Sequence, residues 1–392
     1  MATAIVTAGA GARGAYEAGV LSRVLPRLLD DERETKIVLV GTSAGAINTA
    51  IMAGHADQGA GVVAEKLGTT WGSLTVDKIF EGRVWPLLAY AAEAFGIKQV
   101  HSYALLDTGP LRKTVTDGGY VDWVNLRARF SGTWLKAAGI VATKVSTGES
   151  VVFVEGLGAG VPAPNASRGI VYRDVALGPA HVPASAAIPI AFSSIEVNPG
   201  EWFVDGGVRL NTPIAPAIDL LEALDLDGEN RVIVVSTEPD PDLSATGSSR
   251  PMTERQPDIL DEAASIMYSA LVDRVAEDVL SLRQVNAVIK ATAGPSTPAA
   301  QGADADFRVI KHCYFGPPSR GNIASEAGKV FEQRSQPLVL KILSHAIGNQ
   351  GKTHDELLSF LFFDSTFLKS LFAMGQRDAD ARMVGGKLPW KT

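Results

Sequence analysis

Residues 41–45 read Gly41-Thr42-Ser43-Ala44-Gly45, and they join a run of four aliphatic residues (37–40, Ile-Val-Leu-Val) to a stretch of small and apolar residues from 44 to 52. An unbroken aliphatic run suits a parallel strand buried on both faces. Gly41 ends that strand, and residues 44–52 read as a buried helix. Upstream, residues 3–8 (Thr-Ala-Ile-Val-Thr-Ala) are a second short strand, and residues 9–14 are a Gly/Ala-rich turn. Residues 15–30 then place Val20, Leu21, Val24, Leu25 and Leu28 at helical spacing. The order strand, turn, helix, strand, turn, helix predicts an α/β fold with a mainly parallel central sheet.

Three motifs carry chemistry. The first is the pentapeptide itself, a G-x-S-x-G placed between strand and helix. A serine there sits on a tight, strained turn at the C-terminal edge of the sheet, with glycines relieving the crowding on either side. The helix N-terminus beneath it favours developing negative charge. The same residues also suit a plain turn that packs a helix against a sheet.

The second is Gly9-Ala10-Gly11-Ala12-Arg13-Gly14, which follows the first strand. Its spacing satisfies G-x-G-x-x-G, the dinucleotide fingerprint. A dinucleotide fold needs an acidic residue at the end of its second strand. Here that strand ends in Val40, and Asp30, Asp31, Glu32 and Glu34 all precede it. The other use of such a loop is an oxyanion hole, where small residues let backbone N–H groups approach a reacting carbonyl. Ala10, Gly11 and Ala12 are the candidate donors. Arg13 either fixes the loop, attracts an anionic head group or makes a structural salt bridge. The third motif, Asp205-Gly206-Gly207, ends a short strand at 202–204 and in isolation reads as a turn.

Together these motifs, in this order, resemble the patatin-like phospholipase family, with its glycine-rich loop, its G-x-S-x-G and its later D-G-G/A. Residues 184–192 (Ala-Ser-Ala-Ala-Ile-Pro-Ile-Ala-Phe) and Asn211-Thr212-Pro213-Ile214 also match segments common in that family. The resemblance spans about residues 1–240, with one departure: Ala10 stands where a glycine is usual. It implies a three-layer α/β/α fold. It also implies a serine lipid acyl hydrolase with a catalytic dyad of Ser43 as nucleophile and Asp205 as base, and an acyl-enzyme intermediate. An ordinary aspartate is a weak base at neutral pH, so the dyad expects Asp205 to be partly desolvated. The substrate it implies is a lipid or phospholipid. A nucleotide-binding protein using the Gly9–Gly14 loop and an inactive interaction module are the alternatives.

A triad would need one of His55, His101, His181, His312, His345 or His354, and none stands in a strand-end motif. No metal-ligand spacing occurs, so the expectation is catalysis with no cofactor. A net charge of -7 gives no footprint for nucleic acid. The single cysteine, Cys313, allows no internal disulfide. The N-terminus lacks the marks of a secretory signal, and no stretch of about 18 apolar residues reads as a spanning helix. A cytoplasmic protein that touches membranes peripherally is the expectation; oligomeric state is left open.

Beyond the catalytic domain (1–240), a Pro-rich linker is expected at 241–257 and a mainly helical C-terminal region at 258–392, packing back on the catalytic domain. Its first part, 258–290, reads as a long amphipathic helix, and 293–305 as a low-complexity loop. Residues 84–97 are either a cap over the site or a core helix. Residues 357–374, rich in Leu and Phe, are either an interfacial element or a packed one. Residues 156–180 read as surface loop.

Overall fold

The computed structural model of the chain describes residues 1–80, 106, 109–189, 191–226, 228–241, 274–292, 308–319, 321–334, 336–337, 340–341, 344 and 352–392. Its strands are β1 (Ala2–Thr7), β2 (Lys36–Thr42), β3 (Leu135–Lys144), β4 (Ser150–Glu155), β5 (Ile170–Asp174), β6 (Ile195–Asn198), β7 (Glu201–Asp205), β8 (Asn230–Val235) and β9 (Lys311–Phe315). The helices are α1 (Gly14–Asp31), α2 (Ala44–Gly54), α3 (Ala60–Ser73), α4 (Val76–Ile79), α5 (Gly109–Asp117), α6 (His181–Ser185), α7 (Ile214–Ala223), α8 (Arg274–Thr292), α9 (Gly321–Gln333), α10 (Lys352–Leu361) and α11 (Ser365–Arg382).

The sheet runs β5-β4-β3-β2-β1-β8-β9, and β7 pairs with both β3 and β6. Its centre, from β3 to β9, is parallel; β4 and β7 run antiparallel to β3. Successive side chains of a strand point to opposite faces, and the sequence fills both. Ile5, Ile37, Leu39 and Ile233 enter one core with Val20, Leu21 and Val24 of α1 and Ile51 of α2. Val6, Val38, Val40, Val232 and Val234 enter a second core with Leu220 and Leu221 of α7 and Val279 of α8. The α/β expectation therefore holds, with helices on both faces. Each such fully buried aliphatic side chain stabilises the fold by roughly 1.5–3 kcal/mol.

Two parts of the sheet depart from the sequence reading. β5 lies inside the stretch expected to be loop. It is a short strand beside β4 that buries only Ile170 and Tyr172, too few apolar positions to stand out among flanking Gly and Pro. β9 lies in the region expected to be mainly helical, yet it extends the sheet beside β8. The sheet therefore does not end before residue 240. The expected cap at 84–97, the loop at 293–305, all but the first residue of the expected linker and the start of the helix read over 258–290 lie outside the described residues.

The Leu/Phe-rich tail is packed. Leu358, Phe362, Phe367, Leu368 and Leu371 of α10, α11 and the turn between them are fully buried in the first core. Among the described residues no single helix is long and apolar enough to cross a membrane. α11 crosses α1 at close range. A Cβ on Gly375 would stand 2.1 Å from the Tyr16 carbonyl oxygen, and one on Gly19 would stand 2.1 Å from that of Phe372. Tyr16 donates its hydroxyl to Asp378 Oδ2 at 3.0 Å across the same contact. Overpacking of a tight contact costs about 1–3 kcal/mol, so Gly375→Val is expected to lower stability by at least that much. A urea midpoint equal to wild type would contradict this packing account.

Candidate active site

Ser43 stands between the last residue of β2 and the first of α2, with φ 55° and ψ -120°. A non-glycine residue in such a conformation costs about 1–3 kcal/mol and persists only where its surroundings hold it. Here the hold is a relay. The Ser43 N–H donates to Ser185 Oγ at 2.8 Å, and the Ser185 hydroxyl donates to the Val141 carbonyl of β3 at 2.5 Å. The flanking glycines allow the helix to sit close. A Cβ on Gly45 would meet the Thr7 carbonyl oxygen at 2.3 Å, and one on Gly41 would meet that of Gly45 at 2.3 Å.

Sheet register brings Asp205 to the same place. β4 occupies one edge of β3 through Thr143, so β2 and β7 share the other edge. Thr42 pairs with Val141 on β3, and Asp205 pairs with the next residue, Ala142. The end of β2 and the end of β7 thus abut. Gly206 fits under this junction because a Cβ there would lie 2.4 Å from the Val141 carbonyl oxygen. Asp205 is fully buried. Its backbone is fixed by N–H donation to the Ala187 carbonyl at 2.9 Å and by acceptance from Thr143 Oγ1 at 3.0 Å.

Burial in this setting pushes the Asp205 carboxyl up to about 7. The Ser43 hydroxyl beside it and the Gly207 N–H favour the charged form and oppose that rise. Gly207 donates to Oδ1 at 2.7 Å, whereas Oδ2 has no well-formed hydrogen bond among the described residues. A carboxyl with one oxygen held and the other open is equipped to accept a proton.

The glycine loop lies against Ser43: a Cβ on Gly9 would stand 3.2 Å from Ser43 Cβ. Asn211 fastens this end, with Gly9 N–H donating to its carbonyl at 3.1 Å and its Nδ2 donating to the Gly9 carbonyl at 3.2 Å. Ala10 has φ -147° and ψ -4°, so no positive φ demands glycine at the one position that departs from the family pattern. Gly11, at φ 54°, is the position that needs glycine. Gly11–Arg13 form a single helical turn leading into α1 at Gly14. The first N–H groups of such a turn have no partner inside it.

Arg13 does not face the site's entrance as an exposed cation. It is 1% exposed and salt-bridges Glu238 and Glu356, each at 3.5 Å. Of the three roles open to it in the sequence, the geometry matches the structural salt bridge that fixes the loop.

The described histidines bond elsewhere. His55 Nε2 meets the Tyr120 carbonyl, His181 Nδ1 accepts from the Gly178 N–H, and Arg283 Nε donates to His312 Nε2. His354 lies between Ser344 Oγ and Asp355. His101 and His345 lie outside the described residues. Among the described residues no group of three or more His, Cys, Asp or Glu side chains is arranged to hold a metal ion. One turn along α2 from Ser43, Ile47 opens onto an apolar cavity of about 20 Å³ also lined by Ile51, Leu74, Ile79, Leu111 and Val182.

Sequence reasoning assigned no role to Ser185 or Asn211, although both fall in segments that match the family. Their signal is a polar residue set among apolar or proline neighbours, where burial demands a partner.

Fold and site define an α/β protein with a serine on a strand-to-helix turn, a glycine loop before it and a buried aspartate beside it. The family model for patatin-like phospholipase matches residues 5–218, more than half of the chain, and the chain belongs to that family. At that level the relationship supports lipid acyl hydrolysis. A solved structure titled crystal structure of VipD from Legionella pneumophila aligns at 11% identity and a TM-score of 0.30, over 92% of this chain and 66% of that one. That likeness is too slight to bear on function, and the chain spans less than two thirds of the other's length. Comparison with curated proteins gives no match.

The raised carboxyl has a consequence for stability. Between its ordinary value of 3.8 and about 7, the folded protein keeps a proton on Asp205 that the unfolded chain releases. Stability contributed by this group is therefore lost as pH rises through that window. Wild type is expected to lose more stability than Asp205→Asn between about pH 5 and about pH 8 in urea unfolding. An identical pH response in the two proteins would contradict the raised value.

Proposed function

We propose that this chain is a serine lipid acyl hydrolase that cleaves carboxylic ester bonds through a Ser43–Asp205 dyad. The observation that carries the proposal is the strained Ser43 turn beside a buried carboxyl whose pKa is raised to about 7. Such a carboxyl is a far better base near neutrality than an ordinary aspartate, because its pKa approaches the working pH.

In this reading Ser43 Oγ attacks the ester carbonyl and its proton passes to Asp205. The negative charge formed on the carbonyl oxygen is received by N–H groups of Ala10, Gly11 and Ala12. Collapse expels the alcohol, which takes the proton from Asp205 and leaves the acyl group on Ser43. Water then gives a proton to Asp205 and attacks the acyl carbon. Release of the carboxylic acid returns the proton to Ser43. The aliphatic acyl group of the substrate follows from the family relationship, since neither Ser43, Asp205 nor the glycine loop lines the apolar cavity along α2. As it stands the cavity holds about one water-sized body, so an acyl chain entering it must displace side chains. Lipid or phospholipid is the substrate class, met from the water side with peripheral membrane contact. Cytoplasmic location belongs to the same proposal.

Ser43→Ala is expected to abolish hydrolysis of short p-nitrophenyl esters while circular dichroism stays that of wild type. In wild type, kcat/KM is expected to rise with pH along a single titration centred at about 7 and to level off above it. A profile already flat at about pH 5 would remove Asp205 as the base.

A further inference from the structure

We propose that α10, which lies beyond the family match at residues 5–218, positions the glycine loop of the active site through Arg13, with Ser359 as the positioning residue. The inference rests on the oxyanion role proposed for that loop. Arg13 directly follows the three candidate donors, and its N–H bonds back to the Ala10 carbonyl at 3.1 Å. Any shift of Arg13 therefore carries Ala10–Ala12 with it.

α10 grips this side chain from several directions. Arg13 Nε donates to Ser359 Oγ at 2.7 Å, and a terminal nitrogen donates to the Glu356 carbonyl at 2.9 Å. The guanidinium lies 3.9 Å from the centre of the Phe360 ring. Ser359 is itself oriented, because its hydroxyl donates to the Glu356 carbonyl at 2.6 Å and so leaves a lone pair for Arg13. The same helix also touches the loop directly. A Cβ on Gly11 would stand 2.4 Å from the Phe360 carbonyl oxygen. The loop is thus clamped between Asn211 at Gly9 and α10 at Gly11 and Arg13.

Donors in an oxyanion hole act only when aimed at the developing charge, and a misplacement of about 1 Å can lower the rate by about a hundredfold. Ser359 never meets substrate, so its loss should appear in kcat and not in KM. The test uses the full chain, with active sites counted by fluorophosphonate titration. Ser359→Ala is expected to lower kcat per titrated site by about tenfold or more with KM within about twofold. Ser359→Thr, which keeps the acceptor oxygen, is expected to stay near wild type.

Phe360→Leu, which removes the ring but leaves the backbone contact, is expected to give the same kcat-only loss. It stands in if Ser359→Ala fails to fold. A merely structural grip would lower thermal stability or the titratable fraction and leave kcat per site unchanged; that result overturns the inference. Failure of the dyad reading is distinct: Ser43→Ala would then still react with the probe.

Discussion

Ser185 holds the Ser43 N–H with its oxygen and the Val141 carbonyl with its proton. That bridge helps to offset a backbone conformation that costs about 1–3 kcal/mol, alongside the Thr42 hydroxyl donating to the Leu210 carbonyl at 3.0 Å and the Ala46 N–H donating to the Ser43 carbonyl at 2.9 Å. The bridge ties the strained residue to β3, and β3 is also the strand on which Asp205 takes its register. One strand therefore supports both side chains of the proposed dyad. Pairing with β3 thus brings together residues that stand far apart in the sequence.

The electrostatics follow from the same arrangement. Placing Asp205 at the junction of β2, β3 and β7 excludes water, and desolvation is the largest cause of its raised pKa. The charged form keeps two opposing contacts, from Gly207 and Ser43, so the carboxyl stays ionisable near neutrality. The glycine loop completes the site from the other side. It is fastened at one end by a residue that follows Asp205 and, at the other, by a helix near the C-terminus. The site thus draws on both ends of the chain.

Much of this was legible in the sequence because local pattern dictates it. The unbroken aliphatic run before Gly41 and the small residues after it leave little choice but a buried strand, a sharp turn and a packed helix. The Gly/Ala run after β1 likewise reads as a close-approach loop. The joining of the three motifs was legible only by resemblance, since pairing between β3 and β7 is a long-range matter that no local spacing encodes. β5 and β9 were missed for other reasons: β5 buries only two side chains beside a Gly/Pro-rich stretch, and Lys311 and His312 interrupt the apolar residues around β9. Arg13 shows the limit most clearly. Its neighbours in sequence suggest three roles, and only the fold brings Ser359, Glu356 and Phe360 around it.

In the proposed dyad Ser43 Oγ is the atom acylated and Asp205 makes it reactive. Peptide mapping by mass spectrometry after treatment with a fluorophosphonate tests this most directly. The account predicts one adduct, on the peptide containing Ser43, forming much more slowly in Asp205→Asn. An adduct on any other residue, or an undiminished rate in Asp205→Asn, would contradict it.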